Sequence, residues 1–132
     1  MTDSLSIGAT GERHIVVAEE HTAVQWGSGA LRVLSTPYMI ALMEGAAVDA
    51  VDPHLPKGRQ TVGIHLDVQH LAATPVGGRV TARAELTAIE GRKLTFRVQA
   101  YDEVGLIGEG THQRFVIDVE RFMTKAEARR SG

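Results

Sequence analysis

The residues from 36 to 51 form the longest apolar-rich run of the chain, and they predict a helix enclosed by other structure. Thr36 followed by Pro37 indicates its start, because a threonine oxygen can accept a hydrogen bond from the first turn and proline has no N–H to lose there. Asp52-Pro53 indicates its end. Apolar side chains lie on nearly every side of this helix, at Tyr38, Met39, Ile40, Leu42, Met43, Ala46, Ala47, Val48 and Val51. The rest of the chain must therefore cover it.

One acid, Glu44, interrupts the middle of this apolar run. Its neighbours three and four residues away are Ile40, Ala41, Ala47 and Val48, so its carboxylate projects from an apolar patch. A carboxylate among aliphatic side chains must find polar partners, which is typical of a catalytic group. The alternative is a structural glutamate that reaches water past small residues.

Composition indicates one soluble domain. The 132 residues are 43% hydrophobic and 23% charged, so we expect residues 1–132 to form a single domain, with residues 1–11 loosely ordered and residues 124–132 a short helix or tail. A net charge of −2 argues against nucleic acid as a partner. No apolar stretch is long enough for a membrane span, and we see no signal-peptide core. We therefore expect a cytoplasmic protein.

The sequence offers no thiol and no metal motif. The absence of cysteine excludes disulfides, thiolate nucleophiles and cysteine metal sites, and it is consistent with a reducing compartment. The six histidines lack ligand spacing, so we expect no metal site.

Apolar and polar residues alternate after the helix, and this period of two predicts a sheet. Strands are expected over 14–18, 60–74, 80–88, 94–101 and from 106 to about 122. The order of elements predicts an α+β fold, in which a curved antiparallel sheet of five strands wraps one long central helix.

The faces of two strands matter for the site. In the strand over 60–74 the inward face is expected to carry Val62, Ile64, Leu66, Val68 and His70, with Thr61, Gly63 and His65 facing out. In the last strand two readings of the inward face stay open, because Ile107, Thr111, Phe115, Ile117 and Val119 share one parity while the glycines at 108 and 110 suggest a bulge or a close backbone approach. An inward His70 and an inward Glu44 on adjacent elements indicate a shared site.

Four segments in order carry a family resemblance. They are Thr36-Pro-Tyr-Met-Ile-Ala-Leu-Met-Glu44, Val68-Gln-His-Leu-Ala-Ala-Thr-Pro75, Ile89-Glu-Gly-Arg-Lys-Leu94 and Ile107-Gly-Glu-Gly-Thr-His-Gln-Arg114, within residues 34–122. Together they resemble the thioesterase superfamily of the hot-dog fold, and in particular the branch of the fluoroacetyl-CoA thioesterases. The resemblance implies catalytic roles for Thr36, Glu44 and His70 and substrate-binding roles for Gly63 and Arg114.

The same resemblance implies an acyl-CoA thioesterase that hydrolyses a small or medium acyl group. It implies a homodimer or a dimer of dimers, with the acyl-CoA along the subunit contact and coenzyme A present as part of the substrate rather than as a separate cofactor. One segment departs from the family pattern, because the lid that carries phenylalanines in the fluoroacetyl-selective member reads Trp26-Gly-Ser-Gly-Ala-Leu31 here. This difference argues against fluoroacetyl selectivity and leaves the acyl group open, and it leaves Trp26 as either a flap or an anchor.

Thioester hydrolysis needs a nucleophile, a base and stabilisation of an oxyanion, and these residues offer all three. Thr36 at a helix N-terminus would attack the acyl carbon or orient a water, and the sequence leaves both mechanisms open. Glu44 lies two turns further on, roughly 12 Å along the axis, so substrate or His70 must bridge them. Two alternatives remain: a hydratase or dehydratase of acyl thioesters, and a binder of acyl-CoA without catalysis.

Overall fold

Five antiparallel strands form one sheet around a central helix in the computed structural model, which describes residues 4–131. In chain order the strands are β1 (Thr10–Val16), β2 (Arg59–His70), β3 (Arg79–Glu90), β4 (Lys93–Tyr101) and β5 (Leu106–Asp118). The sheet order is β1-β3-β4-β5-β2, so β1 and β2 lie at its two edges. This arrangement confirms the expected α+β architecture. The helices are α1 (Ala23–Trp26), α2 (Thr36–Val51) and α3 (Val119–Ser131), with short 3-10 turns at Glu19–His21 and Asp52–His54.

The helix α2 occupies the residues that the sequence predicts, but its cap is a different residue. The side-chain oxygen of Ser35 accepts a hydrogen bond from the backbone N–H of Tyr38 at 3.1 Å, so Ser35 is the N-cap and Thr36 is the first helical residue. The expectation that Thr36 caps the helix is therefore wrong. Because Ser35 caps the helix, the hydroxyl of Thr36 is available for a hydrogen bond with another residue.

The strand β1 packs directly on α2 and begins earlier than expected. A Cβ on Gly11 would lie 2.1 Å from the backbone oxygen of Ala46, so only glycine allows this contact. Leu5, further towards the N-terminus, is also buried. The expectation that residues 1–11 are loosely held is thus wrong from Leu5 onward, and residues 1–3 lie outside the described residues.

The hairpin of β3 and β4 and the strand β1 together supply most of the sheet surface that covers the helix. The turn of the hairpin lies between Glu90 and Lys93, as the sequence predicts. The inward side chains of both strands are fully or almost fully buried, and they include Val80, Ala82, Ala84, Leu86, Leu94, Phe96, Val98 and Ala100. Alternation along these two strands is confirmed, apart from a register shift between Leu86 and Ala88 that leaves Ala88 half-buried.

Two bulges change which residues of β2 and β5 face the interior of the sheet. In β2 the pairing with β5 shifts between Gly63 and His65, which leaves Ile64 out of register and 51% exposed while Thr61 is buried. In β5 the pairing with β4 shifts near its start, since Tyr101 pairs with Leu106 but Ala100 pairs with Gly108. The buried positions beyond that second bulge are His112, Arg114 and Val116, whereas Phe115 is 39% exposed. For β5 the sequence left two readings open, and the structure shows the bulge that the glycines suggested rather than an unbroken inward set of Thr111, Phe115 and Ile117. A bulge reverses the alternation from one side of it to the other, so Thr61, before the β2 bulge, faces inward with His70, beyond it, although their parities differ.

The last strand also ends sooner than the sequence suggests. It ends at Asp118, and α3 follows immediately at Val119 instead of at the expected residue 124. The residue at 132 lies outside the described part, and the assignment of residues 1–132 to a single domain stays a prediction. Among residues 4–131, none of the helices has the length and apolar character of a membrane span.

Candidate active site

A threonine and a histidine meet where α2 begins and β2 ends. The distance between Thr36 Oγ1 and His70 Nδ1 is 2.7 Å, which is a short hydrogen bond between a hydroxyl and an imidazole. The antiparallel path of the chain brings them together, since β2 runs back along α2 and ends beside its first turn. Ser35 caps the helix, so the Thr36 hydroxyl can serve His70 instead.

The surroundings of His70 favour its neutral form. Burial lowers the pKa of His70, and a backbone hydrogen bond with Ala72 acts in the opposite direction without cancelling it. Its second ring nitrogen, Nε2, is buried and makes no hydrogen bond with any of residues 4–131. A neutral imidazole bonded to a hydroxyl is the arrangement that general-base catalysis requires.

This pair borders a cleft of about 400 Å³, a volume within the usual range for small-molecule sites. The lining side chains are small or aliphatic apart from the hydroxyls and His70. They come from the connection before α2 and from the segment after β2, and they are Ala23, Ser28, Gly29, Ala30, Leu31, Val33, Leu34, Thr36, His70, Leu71, Ala72 and Ala73. Such a lining suits an uncharged, apolar group.

Trp26 holds one side of this connection in place. Its indole N–H donates to the backbone oxygen of Glu20 at 2.9 Å, and its ring packs edge-on against Tyr38 with centroids 5.5 Å apart. Gly27 follows in the left-handed conformation and ends α1. Trp26 therefore anchors the segment that leads into the cleft, and of the two roles considered for it the anchor is the one that these contacts support.

Glu44 lies in a second cluster, further along α2. Its Oε2 atom is 3.6 Å from Nη1 of Arg114, whose side chain is only 7% exposed. Gly63 lies directly beside them, because a Cβ on this residue would be 2.8 Å from Glu44 Oε2. Burial lowers the pKa of Arg114, while the negative charges of Asp52 and Glu44 act against that shift. A glycine on β2 thus creates the space in which an acid and a buried arginine meet.

The two clusters are separate within one chain. Thr36 and His70 share one end of α2, whereas Glu44, Gly63 and Arg114 share a place two turns away. The expected pairing of His70 with Glu44 does not occur among the described residues of a single chain. The structure brings together all five predicted site residues as two groups, and their roles in catalysis and binding stay predictions.

Three polar residues of the second cluster escaped the sequence analysis. Arg114 donates from Nε to Thr61 Oγ1 at 2.7 Å, and Thr61 donates in turn to Asp52 Oδ1 at 2.6 Å. His112 is fully buried beside Arg114. The spacing of two residues between His112 and Arg114 is the signal that would have found the histidine, since alternate residues of a strand share a face.

No group of three histidine or acidic side chains with metal-binding geometry occurs within the described range 4–131.

Comparison with known proteins places this geometry in a family context. A sequence profile described as fluoroacetyl-CoA-specific thioesterase matches residues 17–120. The fluoroacetyl-CoA thioesterase of Streptantibioticus cattleyicolor is 48% identical over 93 residues, which cover 70% of this chain and 67% of that protein.

Solved structures give the same result for the fold. A structure of the fluoroacetyl-CoA thioesterase superimposes with a TM-score of 0.89 at 38% identity, covering 94% of this chain and 96% of the other. A thioesterase superfamily member from Thermus thermophilus superimposes with a TM-score of 0.88 at 26% identity, covering 96% of this chain and 93% of the other. The hot-dog fold that the sequence resemblance implied is therefore confirmed.

Proposed function

The chain belongs to the fluoroacetyl-CoA-specific thioesterase family and hydrolyses acyl-CoA thioesters, and we propose that Thr36, His70 and Glu44 carry out this reaction on a small or medium apolar acyl group. The observation that carries the proposal is the 2.7 Å contact between Thr36 Oγ1 and His70 Nδ1 at the edge of an apolar cleft. We further propose a cytoplasmic protein that needs no cofactor beyond the coenzyme A of its substrate and binds no nucleic acid.

His70 acts as the base in the proposed reaction. Its neutral imidazole takes a proton from the nucleophile, which is the Thr36 hydroxyl or a water that this hydroxyl orients. The nucleophile oxygen attacks the thioester carbon, the carbon–sulfur bond breaks, and His70 returns the proton to the departing thiolate. The N-terminus of α2 favours the negative charge that develops on the carbonyl oxygen. If Thr36 is the nucleophile, the product of this step is an acyl ester of Thr36, and a water that gives its proton to His70 then attacks the ester carbonyl, releases the free acid and returns the hydroxyl to Thr36. Mass spectrometry of the quenched enzyme will detect the acyl group on Thr36 in that case.

The lining of the cleft indicates the acyl group. The residues Ser28, Gly29, Ala30 and Leu31 line about 400 Å³ beside Thr36 without an aromatic ring, in the segment where the family resemblance implies a phenylalanine lid. We propose a branched or medium-length aliphatic acyl group, because apolar contacts with these side chains would stabilise it. A thiol-release assay over acyl-CoAs of increasing size should show kcat/KM rising beyond acetyl-CoA. Ala30→Phe should reverse this order, and a wild-type preference for acetyl-CoA would contradict the proposal.

We propose that the active enzyme is a homodimer, alone or as a dimer of dimers. The strand β2 is an edge strand with no neighbour on one side among residues 4–131, and Ile64 and Leu66 on it are 51% and 40% exposed. A long edge strand with exposed apolar side chains is stabilised when a second copy pairs with it. Two-fold symmetry is the commonest way for two copies to do so.

Such a dimer would unite the two clusters. If two β2 strands pair antiparallel about an axis near Leu66, Gly63 of one protomer lies close to His70 of the partner subunit. Glu44 would then approach the buried Nε2 atom of that imidazole across the contact. This arrangement supports the expected pairing of a carboxylate with His70, which the single chain lacks.

Mixing two inactive variants tests the shared site. Glu44→Gln and His70→Ala should each lower kcat by about 10² or more, since each removes a general acid or base. After refolding as a 1:1 mixture, about a quarter of the wild-type activity should return, because half of the dimers are mixed and each has one intact site.

The outcomes of this experiment are distinct. No recovery in the mixture, with both single variants inactive, would place the whole site within one chain and refute the shared arrangement. Normal turnover by either single variant would refute its catalytic role. Sedimentation equilibrium supplies the control, since a monomer with full activity would refute the dimer itself.

A further inference from the structure

His112 is a fully buried histidine with both of its ring nitrogens engaged. Nδ1 is 2.8 Å from the backbone oxygen of His65, and Nε2 is 3.1 Å from Nη1 of Arg114. A carbonyl oxygen can only accept and a guanidinium can only donate, so Nδ1 carries the hydrogen and Nε2 offers its lone pair. The two partners thereby fix one neutral tautomer of this ring.

The electrostatic surroundings favour the same neutral state. Burial lowers the pKa of His112, and the positive charge of Arg114 lowers it further, while the backbone oxygen of His65 and the carboxylate of Glu44 act in the opposite direction. An imidazolium here would direct a second N–H at the guanidinium of Arg114. The ring therefore functions as a hydrogen-bond acceptor for the arginine.

Arg114 has its donors directed at specific acceptors. Nε donates to Thr61 Oγ1 at 2.7 Å, Nη2 donates to the backbone oxygen of Thr61 at 3.0 Å, and Nη1 donates to His112 Nε2. This last nitrogen also faces Glu44 Oε2 at 3.6 Å. Thr61 fixes one side of the planar guanidinium, and His112 fixes the nitrogen that faces the acid.

We propose that His112 is a positioning residue for the thioesterase reaction. Its ring links the backbone of His65, which follows the β2 bulge, to Arg114 and so fixes the guanidinium that holds the Glu44 carboxylate. The inference rests on the proposed function of Glu44. The geometry supports a role beyond packing, because an apolar ring of similar size would fill the same space but leave Nη1 of Arg114 without its acceptor. A misplaced acid at the reacting centre lowers turnover even when the substrate still binds.

Two amide variants separate the two hydrogen bonds of the ring. His112→Gln reaches the position of Nε2 and offers an oxygen to Arg114, whereas His112→Asn reaches only the position of Nδ1 and keeps the bond to His65. We expect kcat to stay within about threefold of wild type in the Gln variant and to fall by about 10- to 100-fold in the Asn variant, with KM nearly unchanged in both. Equal kcat values for two folded variants would overturn the proposal.

A double-mutant cycle distinguishes positioning from general packing. In the Glu44→Gln background, His112→Asn should lower kcat by less than about twofold, because the residue acts through the missing carboxylate. If the double variant shows the full product of the kcat losses of the two single variants, His112 does not act through Glu44 and the inference is refuted. If Glu44→Gln itself has normal kcat, the proposed function of Glu44 fails instead, and the two failures are thereby distinguishable.

A measurement on the wild-type protein does not depend on variants that fold. The nitrogen chemical shifts of His112 in an NMR spectrum near neutral pH should identify a neutral ring with its hydrogen on Nδ1. A hydrogen on Nε2, or a doubly protonated ring, would overturn the proposal, because neither form offers an acceptor to Arg114.

Discussion

Gly63→Ala should separate catalysis from stability in this protein. The Cβ that the variant adds would lie 2.8 Å from Glu44 Oε2 and 3.2 Å from Cε1 of His112, whereas an ordinary contact begins near 3.4 Å. The carboxylate must therefore move by about 0.6 Å, and its ion pair with Arg114 must lengthen or rotate. The ring of His112 must also give slightly, since its 3.2 Å contact is just inside the ordinary range.

The expected cost in stability is small. Gly63 has no positive φ, so alanine is compatible with the backbone, and replacing glycine in a strand contributes about 0.5–1 kcal/mol of stability. The displaced carboxylate belongs to a flexible side chain that is 38% exposed, so it can move at little cost. These effects nearly offset each other, and we expect the free energy of unfolding to stay within about 1 kcal/mol of wild type.

The expected cost in activity is large. A displacement of this size at a catalytic group lowers the rate by about 10²-fold, which corresponds to about 2.7 kcal/mol of lost transition-state stabilisation. Release of free thiol from acyl-CoA measures kcat/KM, and urea unfolding followed by circular dichroism measures stability on the same preparation.

Gly110→Ala provides a contrasting control on the neighbouring strand. A Cβ at that position would lie 2.0 Å from the backbone oxygen of Asp67, so the pairing of β2 with β5 would have to open. This variant should lose about 1–3 kcal/mol of stability. Two results for Gly63→Ala would refute the reasoning. One is a wild-type value of kcat/KM, and the other is a loss of activity accompanied by the loss of stability that we expect for Gly110→Ala.

Three further predictions follow from the contacts of the helix start and of the buried histidine. Ser35→Ala should lower the free energy of unfolding by about 1 kcal/mol in urea, because Ser35 is the cap of α2, and an unchanged midpoint would contradict that assignment. Thr36→Ala should change the free energy of unfolding by less than about 0.5 kcal/mol but lower kcat by about 10² or more. Thr36→Ser retains the hydroxyl and is the control. Equal kcat values for the wild type and both variants would exclude a chemical role of Thr36. Because the folded-state pKa of His112 lies below its unfolded value near 6.5, the unfolded chain takes up the proton first as pH falls. The free energy of unfolding should therefore decline below about pH 6.5, with a shallower slope in His112→Gln, and identical slopes would refute the assignment.

The sequence determined those features that depend on neighbouring residues. The apolar run and the Asp52-Pro53 stop define α2, because helix limits follow from local backbone chemistry. The turn between Glu90 and Lys93 is predictable for the same reason, since it needs only a glycine and two alternating segments. The residues of the site came from segments that resemble a family, which fixes their identity but not their geometry.

The tertiary structure decided which side chains meet. The bulges at Ile64 and near the start of β5 arise from pairing between distant strands. The first puts Thr61 on the inward face together with His70, and the second turns His112 inward, although an unbroken alternation would not. Thr36 reaches His70 because β2 returns antiparallel along α2, while the same path leaves Glu44 with Arg114 two turns away. A residue's face follows from its neighbours in sequence only while the register holds, and the register belongs to the whole sheet.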